Sequence, residues 1–360
     1  MNITKLLTIV FLLFSIAACR PNTQTTPVQT VILYTSTDDE FAKLIANDFT
    51  TETGIQVKIV GDTEATKTTG LVARLKAEAN NPKATKADVW WSSEPFGTID
   101  LALTGVLQPG AMQGLVEDWP ETLHDPDWTW VAMASRPRVI VYASDRITDP
   151  PSSLRDFAHP KWKGRIGMAR PQFGTTRGHM GILADRWGLQ EFERWLTMLK
   201  ANNIRLYDGN ATVVRAVAMG EIDLGLTDTD DVWAGQRNGW KVDCTYEPFD
   251  PPMNLNTLSS KGPTLLPNTV AIVAGAPNPD NARRLAGYLI SPRVERLLAE
   301  STSRNLPVNP ELNDLFNTIA PPSLTSPDPN KLKDQAIYPN FSDANAMIPQ
   351  ALESCDQILN

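Results

Sequence analysis

From Val28 to about residue 303 the chain alternates short β-branched or aromatic runs with stretches whose apolar residues recur every three or four positions. The short runs predict strands over 31–34, 56–60, 87–91, 138–142, 165–168, 222–226 and 268–273, each followed by polar or small residues. Between the first two, Phe41, Leu44, Ile45 and Phe49 fall on one helical face, with Thr37 or Asp38 as N-cap and Gly54 closing the helix. Further helices are predicted from about Thr175, around Phe192, Trp195, Leu196 and Leu199, and over 212–219, where Gly220 ends the pattern. Two short amphipathic helices fill 281–301, broken at Ser291-Pro292, and Ile348, Leu352, Cys355 and Leu359 mark one face of a last helix. Segment 248–267, rich in Pro, Asn, Ser and Gly, reads as an irregular excursion, and 321–334 as loop. Strands alternating with helices in this way specify an α/β architecture with largely parallel sheets.

The first residues follow a different plan. Lys5 precedes an apolar run, Leu6 to Phe14, too short to span a bilayer, and then Ser15-Ile16-Ala17-Ala18-Cys19. Ile16-Ala17-Ala18-Cys19 looks like a bacterial lipobox, so 1–18 is expected to be a lipoprotein signal peptide, Cys19 the lipidated residue, and 19–27 a polar, proline-bearing tether. What remains is about two domains in size. The net charge of −8, with no basic block, speaks against nucleic-acid binding, because nothing clusters to neutralise phosphates. Of the three cysteines, Cys244 and Cys355 remain; an exported pair can form a disulfide, but the helix face shared by Cys355 and Leu359 favours a buried thiol.

A set of short landmarks then appears in order: Val31-Ile32-Leu33-Tyr34-Thr35-Ser36, Phe49-Thr50-Thr51-Glu52-Thr53-Gly54, Ala87-Asp88-Val89-Trp90-Trp91-Ser92, Gly105-Val106-Leu107-Gln108-Pro109, Arg136-Pro137-Arg138-Val139-Ile140-Val141-Tyr142, His159-Pro160-Lys161-Trp162-Lys163-Gly164, Ala274-Gly275-Ala276-Pro277-Asn278-Pro279 and Leu306-Pro307-Val308-Asn309-Pro310. Together they resemble the bacterial ferric-ion-binding proteins and their relatives, the type-2 extracellular solute-binding proteins. The resemblance implies a two-lobed type-2 periplasmic-binding-protein fold with a central ligand cleft and hinge strands. Crossings are expected near 135–142 and 268–273, giving lobe one as 28–134 plus 268–303 and lobe two as 135–267 plus 304–360. It also implies a monomeric receptor, exported and lipid-anchored, that captures an ion or small solute and delivers it to the permease of an ABC importer, with no cofactor and no enzymatic activity.

Four clusters are expected at the cleft. Ser36-Thr37-Asp38-Asp39 follows the first strand, with Ser36 and Thr37 the ligand candidates, while Asp38 and Asp39 better suit helix capping. Ser92-Ser93-Glu94 follows the third; Ser93 and Glu94 are ligand candidates beside the alternative of an ordinary turn. Gly174, Thr175 and Thr176 open a helix whose backbone N–H groups suit an anion, and in ferric-binding relatives a matching helix start holds the anion that accompanies the metal. His179 lies one turn past Thr175, a metal-ligand candidate or a hydrogen-bonded core residue. The fourth cluster, Asp228, Thr229, Asp230 and Asp231, carries three carboxylates in four positions, which repel one another unless solvated, capping a helix or neutralised by a cation. Ferric-binding relatives carry adjacent tyrosines near this point; this chain has no Tyr pair, so carboxylates and hydroxyls are the hard donors available, with His179, Asp228 and Asp230 the candidate metal set. Asn210 matches a place where the family has a cleft-facing polar residue, and Arg136 and Arg138 flank the expected hinge, where each suits either an anion or, the favoured reading, an ion pair with a lobe carboxylate. Two other readings stand beside import: a solute sensor built on the same fold, and a metal-dependent hydrolase, which lacks HExxH, nucleophile-elbow, P-loop and CxxC signatures.

Overall fold

The structure, a computed structural model, describes residues 28–62, 66, 68–81, 83–84, 86–116, 119–246, 263–319 and 338–360. The signal peptide, Cys19, the tether and most of the excursion at 248–267 lie outside them. The first lobe opens with β1 (Thr30–Thr35), α1 (Asp39–Thr53), β2 (Gln56–Gly61), α2 (Thr69–Ala79), β3 (Val89–Ser92) and α3 (Pro95–Leu103). Gly54 ends α1 in the left-handed region at φ 73°, where its N–H reaches Thr50 O at 2.9 Å. β4 (Trp130–Ala143) then crosses to the second lobe, built from α4 (Leu154–Phe157), β5 (Ile166–Ala169), α5 (Gly174–Trp187), α6 (Leu189–Ala201), β6 (Arg205–Tyr207), α7 (Asn210–Ala218), β7 (Leu224–Asp228), α8 (Thr229–Arg237) and β8 (Val242–Tyr246). β9 (Leu265–Ile272) returns to the first lobe, followed by α9 (Pro279–Leu289), α10 (Pro292–Glu300), α11 (Asn313–Ile319) and α12 (Phe341–Leu359).

The strands run in the order β2-β1-β3-β9-β4-β7-β5-β6, with β8 also paired to β4. β1 pairs in parallel with β2 and β3, and β5 with β6 and β7, whereas β4 and β9 run antiparallel to their neighbours. β4 is the shared element. Its first half pairs with β9, and its second half lies between β7 and β8. The crossing is marked by a register shift between Met133 and Ser135, where Ala134 takes φ 34°. The buried backbone groups that this bulge takes out of the ladder find other partners. Ala134 N donates to Glu295 Oε1 at 2.9 Å, Asn268 Nδ2 donates to Ala134 O at 2.7 Å, and Ser135 exchanges two backbone hydrogen bonds with Leu306. Glu295 is fully buried and also accepts from Val308 N and Asn309 N, so one carboxylate from α10 fixes three backbone donors at the hinge.

Lobe two has a two-faced sheet. Ile140, Ile166, Met168, Leu224 and Leu226 join α5 and α6 on one side, while Val139, Val141, Val213, Val214 and Val217 pack on the other. A Cβ at Gly225 would stand 2.2 Å from Val213 Cγ1, so glycine is what lets α7 lie this close to β7. Of the two readings of the cysteines, this geometry supports the buried thiol. Cys355 packs in the first of these layers and Cys244 against the second, so the sheet separates them and both are free thiols.

The expected boundary at 304 also shifts. Leu306 bridges to Ser135, and Val308, Phe341, Ala344 and Ile348 pack into the lobe-one core, whereas Ala351, Cys355 and Leu359 belong to lobe two. α12 therefore spans both lobes, with Phe341 edge-on to Phe96 of α3 at 5.9 Å between ring centroids. The irregular stretch proves to be strand from Leu265, because β9 continues pairing with β4 as far as Pro137.

Candidate functional site

A cavity of about 50 Å³ lies where the carboxyl ends of strands from both lobes meet. Lobe one contributes Asp38, past β1, and Ser93, past β3; lobe two contributes Arg170 past β5, Asp208 past β6, and Asp228, Asp230 and Asp231 at the junction of β7 and α8. Gly174, Thr175 and Thr176 begin α5, and Asn210 begins α7. Neither Phe173 nor Gly209, the residues preceding these helices, caps the backbone with a side chain. Two uncapped helix N-termini therefore present backbone N–H groups and positive dipole ends to one wall.

Asp228 organises that wall. Arg138 Nη1 donates to its Oδ1 at 2.7 Å, while its Oδ2 accepts from Thr175 Oγ1 at 2.6 Å, Asn210 Nδ2 at 3.0 Å and Arg136 Nε at 3.3 Å. Burial alone would raise the Asp228 carboxyl, but Arg138 and Arg136 more than offset it and hold the group down at about 2. Burial likewise works against the Arg136 cation, and Asp230 and Asp228 overcome it, pushing its pKa above the ordinary value. Asp228 is thus a neutralised structural acid and not a helix cap, although it occupies the N-cap position of α8. Asp230 lies 3.7 Å from Arg136 Nε and keeps a quarter of its side chain exposed; Asp231 Oδ2 accepts from Thr227 Oγ1 at 3.2 Å. Ligand atoms of Asp228, Asp230 and Asp231 all lie within 4.8 Å of one another.

The remaining expected residues take distinct roles. Asp38 is the N-cap residue of α1, yet its side chain makes no capping hydrogen bond and lines the cleft. Ser36 is buried behind the wall, where its Oγ accepts from Ser93 N at 2.9 Å and meets Ser93 Oγ at 3.2 Å, so it positions Ser93. Glu94 caps α3: it accepts from Phe96 N at 2.7 Å and Gly97 N at 2.9 Å at the start of that helix, and burial raises its carboxyl. Thr229 is wholly buried in the first turn of α8. His179 is corrected as a metal ligand. One turn beyond Thr175, α5 has left the cleft for the lobe interior; His179 is fully buried and lies outside the acidic group. Arg170, which pairs with Asp208 at 3.2 Å, was missing from the expected set; its place just past a strand was the available signal. No tyrosine is among the residues lining the cavity.

Residues 45–327 match the family of bacterial extracellular solute-binding proteins. The chain belongs to that family. This solute-binding protein is 26% identical over 309 residues to the major ferric iron-binding protein of Neisseria meningitidis serogroup B, covering 84% of the chain and 88% of the relative. It is 29% identical over 296 residues to iron uptake protein A1 of Synechocystis, covering 76% and 74%. Among solved structures, iron-bound HitA from Pseudomonas aeruginosa is similar with a TM-score of 0.68 and 26% identity, over 90% of this chain and 99% of HitA. Its fold is that of the two-lobed periplasmic binding proteins, and its task is to capture a small solute outside the cytoplasm for an ABC importer. No helix among the described residues is long and apolar enough to cross a membrane.

Proposed function

We propose that the solute is a hard metal cation, ferric ion being the first candidate, held by Asp230 and Asp231 with Asp38 closing from the opposite lobe. An oxyanion would lie beside it on the α5 and α7 N-termini. The observation that carries this reading is the grouping of the Asp228, Asp230 and Asp231 carboxylates within 4.8 Å of one another in the interlobe cavity, with Asp228 paired to Arg136 and Arg138. Oxygen-only donors suit hard cations, and uncapped helix starts suit the accompanying anion. The Neisseria meningitidis relative is a ferric iron-binding protein and the similar HitA structure is iron-bound, which is support by likeness. The chain then acts as a receptor without turnover, tethered to the membrane by lipid on Cys19.

A thermal-shift series on the soluble chain beginning after Cys19 tests this. Ferric citrate and Mn²⁺, with and without phosphate, should raise the melting temperature of the wild type, because a ligand that binds only the folded state stabilises it by mass action. Asp230→Ala combined with Asp231→Ala should remove the shift. Thiamine and spermidine serve as organic controls; a shift with either and none with the metals would overturn the reading.

A further inference from the structure

The cleft continues toward the hinge into a second, smaller chamber of about 30 Å³. Asp38, Ser93, Arg136 and Asp230 line both spaces, so the chamber opens directly onto the carboxylates. Its far wall is made by Thr37, Trp91 and Asn268, and the polar groups there differ in one respect. The Asn268 amide already donates to Ala134 O at 2.7 Å and Asn305 Oδ1 at 3.1 Å. Trp91 Nε1 and Thr37 Oγ1 are buried, and neither has a hydrogen-bond partner among the described residues. Trp90, next along β3, gives the contrast: its Nε1 donates to Thr98 Oγ1 at 2.7 Å.

Leaving a buried donor unpaired is costly, and native proteins rarely do so without a use for it. An indole N–H can only donate, a threonine hydroxyl can donate, and Arg136 carries N–H groups on the same side. The unmatched capacity of this chamber is therefore for an acceptor. Its volume admits a group of one or two oxygen atoms and not a second solute. We infer that the chamber is a second subsite of the cleft, in which Trp91 Nε1 and Thr37 Oγ1 hydrogen-bond an oxygen belonging to the coordination shell of the bound cation. That oxygen comes either from a carboxylate of an organic acid carried in with the metal or from a metal-bound water. The inference rests on the cation reading of Asp230 and Asp231, and assigns to lobe one a selecting role that reading does not require.

Calorimetric titration with two probes, ferric citrate and aqueous Mn²⁺ alone, separates the possibilities. Thr37→Val is nearly isosteric and removes one hydroxyl; Trp91→Phe keeps an aromatic ring and removes the N–H. Each variant should bind ferric citrate about tenfold or more weakly, as expected for losing a hydrogen bond to a charged oxygen. Weakening with ferric citrate alone identifies an organic-acid oxygen, and equal weakening with Mn²⁺ identifies a metal-bound water; both support the subsite. Wild-type affinity of Thr37→Val for both probes overturns it, even if Trp91→Phe binds weakly, since that variant also changes the ring volume. Asp230→Ala with Asp231→Ala is the separate control. If that variant binds both probes as the wild type does, the cation reading itself has failed, whatever the chamber variants do.

Discussion

Asp228 illustrates how one side chain joins stability to function. It is 2% exposed, and its two oxygens accept from Arg136, Arg138, Thr175 and Asn210, which lie on the hinge strand and on both helix starts of the cleft wall. Replacing it by alanine leaves Arg138, itself wholly buried, without its counter-charge. Breaking such a pair on one side is more damaging than never having had it, because the remaining charge stays desolvated. Asp228→Ala should destabilise the metal-free protein by ~3–5 kcal/mol in urea unfolding. The Asp230→Ala change, at a position with a quarter of its side chain exposed, should cost less than 1 kcal/mol in the same assay, as partly exposed polar sites usually do. Equal losses at the two positions would remove the division into a structural acid and a ligand acid. The sequence placed both in one cluster and pointed to an ion pair for Arg136 and Arg138, but not to which carboxylate they take, since those arginines lie about ninety residues earlier in the chain.

Among the elements, α5 and β4 set the geometry. The packing of α5 against lobe one is close enough that a Cβ at Gly178 would lie 2.0 Å from the ring of Phe96 in α3. In an isolated helix Gly178→Ala would be favourable by ~1 kcal/mol. Here the ring must move, and the contact broken is one between lobes. The expected outcome is a shift toward a more open form, seen as a larger radius of gyration by small-angle scattering, together with weaker cargo binding; an unchanged radius and unchanged binding would contradict this closure contact. In β4 the bulge at Ala134 depends on Glu295. Glu295→Ala deprives Ala134 N, Val308 N and Asn309 N of their buried acceptor and should cost at least ~3 kcal/mol, read as a lowered urea midpoint. A midpoint within error of the wild type would show that the hinge is held elsewhere. The core strands and helices were legible because their apolar periods are strong, as at Phe41, Ile45 and Phe49 on α1. The full length of β4 was not, because Trp130 to Ala143 changes partners midway and is buried along nearly its whole length, which erases the alternation that marks a strand. The short edge strands β6 and β8 were missed because three to five residues carry little pattern.

For the molecule as a whole, two lobes share two crossing strands and the long helix α12, and the cleft lies between them. The frame could be read from ordered landmarks, each of them local in sequence. The site could be read only in part. Asp38, which better suited a helix cap, lines the cavity; Glu94, which looked like a ligand, caps α3; and His179, one turn from Thr175, faces the lobe interior. In each case the residue type was visible and the direction of its side chain was not, because direction depends on which partners the rest of the fold supplies. The central claim concerns the cargo. Its most direct test is anomalous diffraction at the iron edge from crystals of the soluble chain grown with ferric citrate. The expected result is a single strong peak between Asp230, Asp231 and Asp38, lost in crystals of the Asp230→Ala, Asp231→Ala variant. A closed cleft with no anomalous peak, or a peak away from these carboxylates, would contradict it.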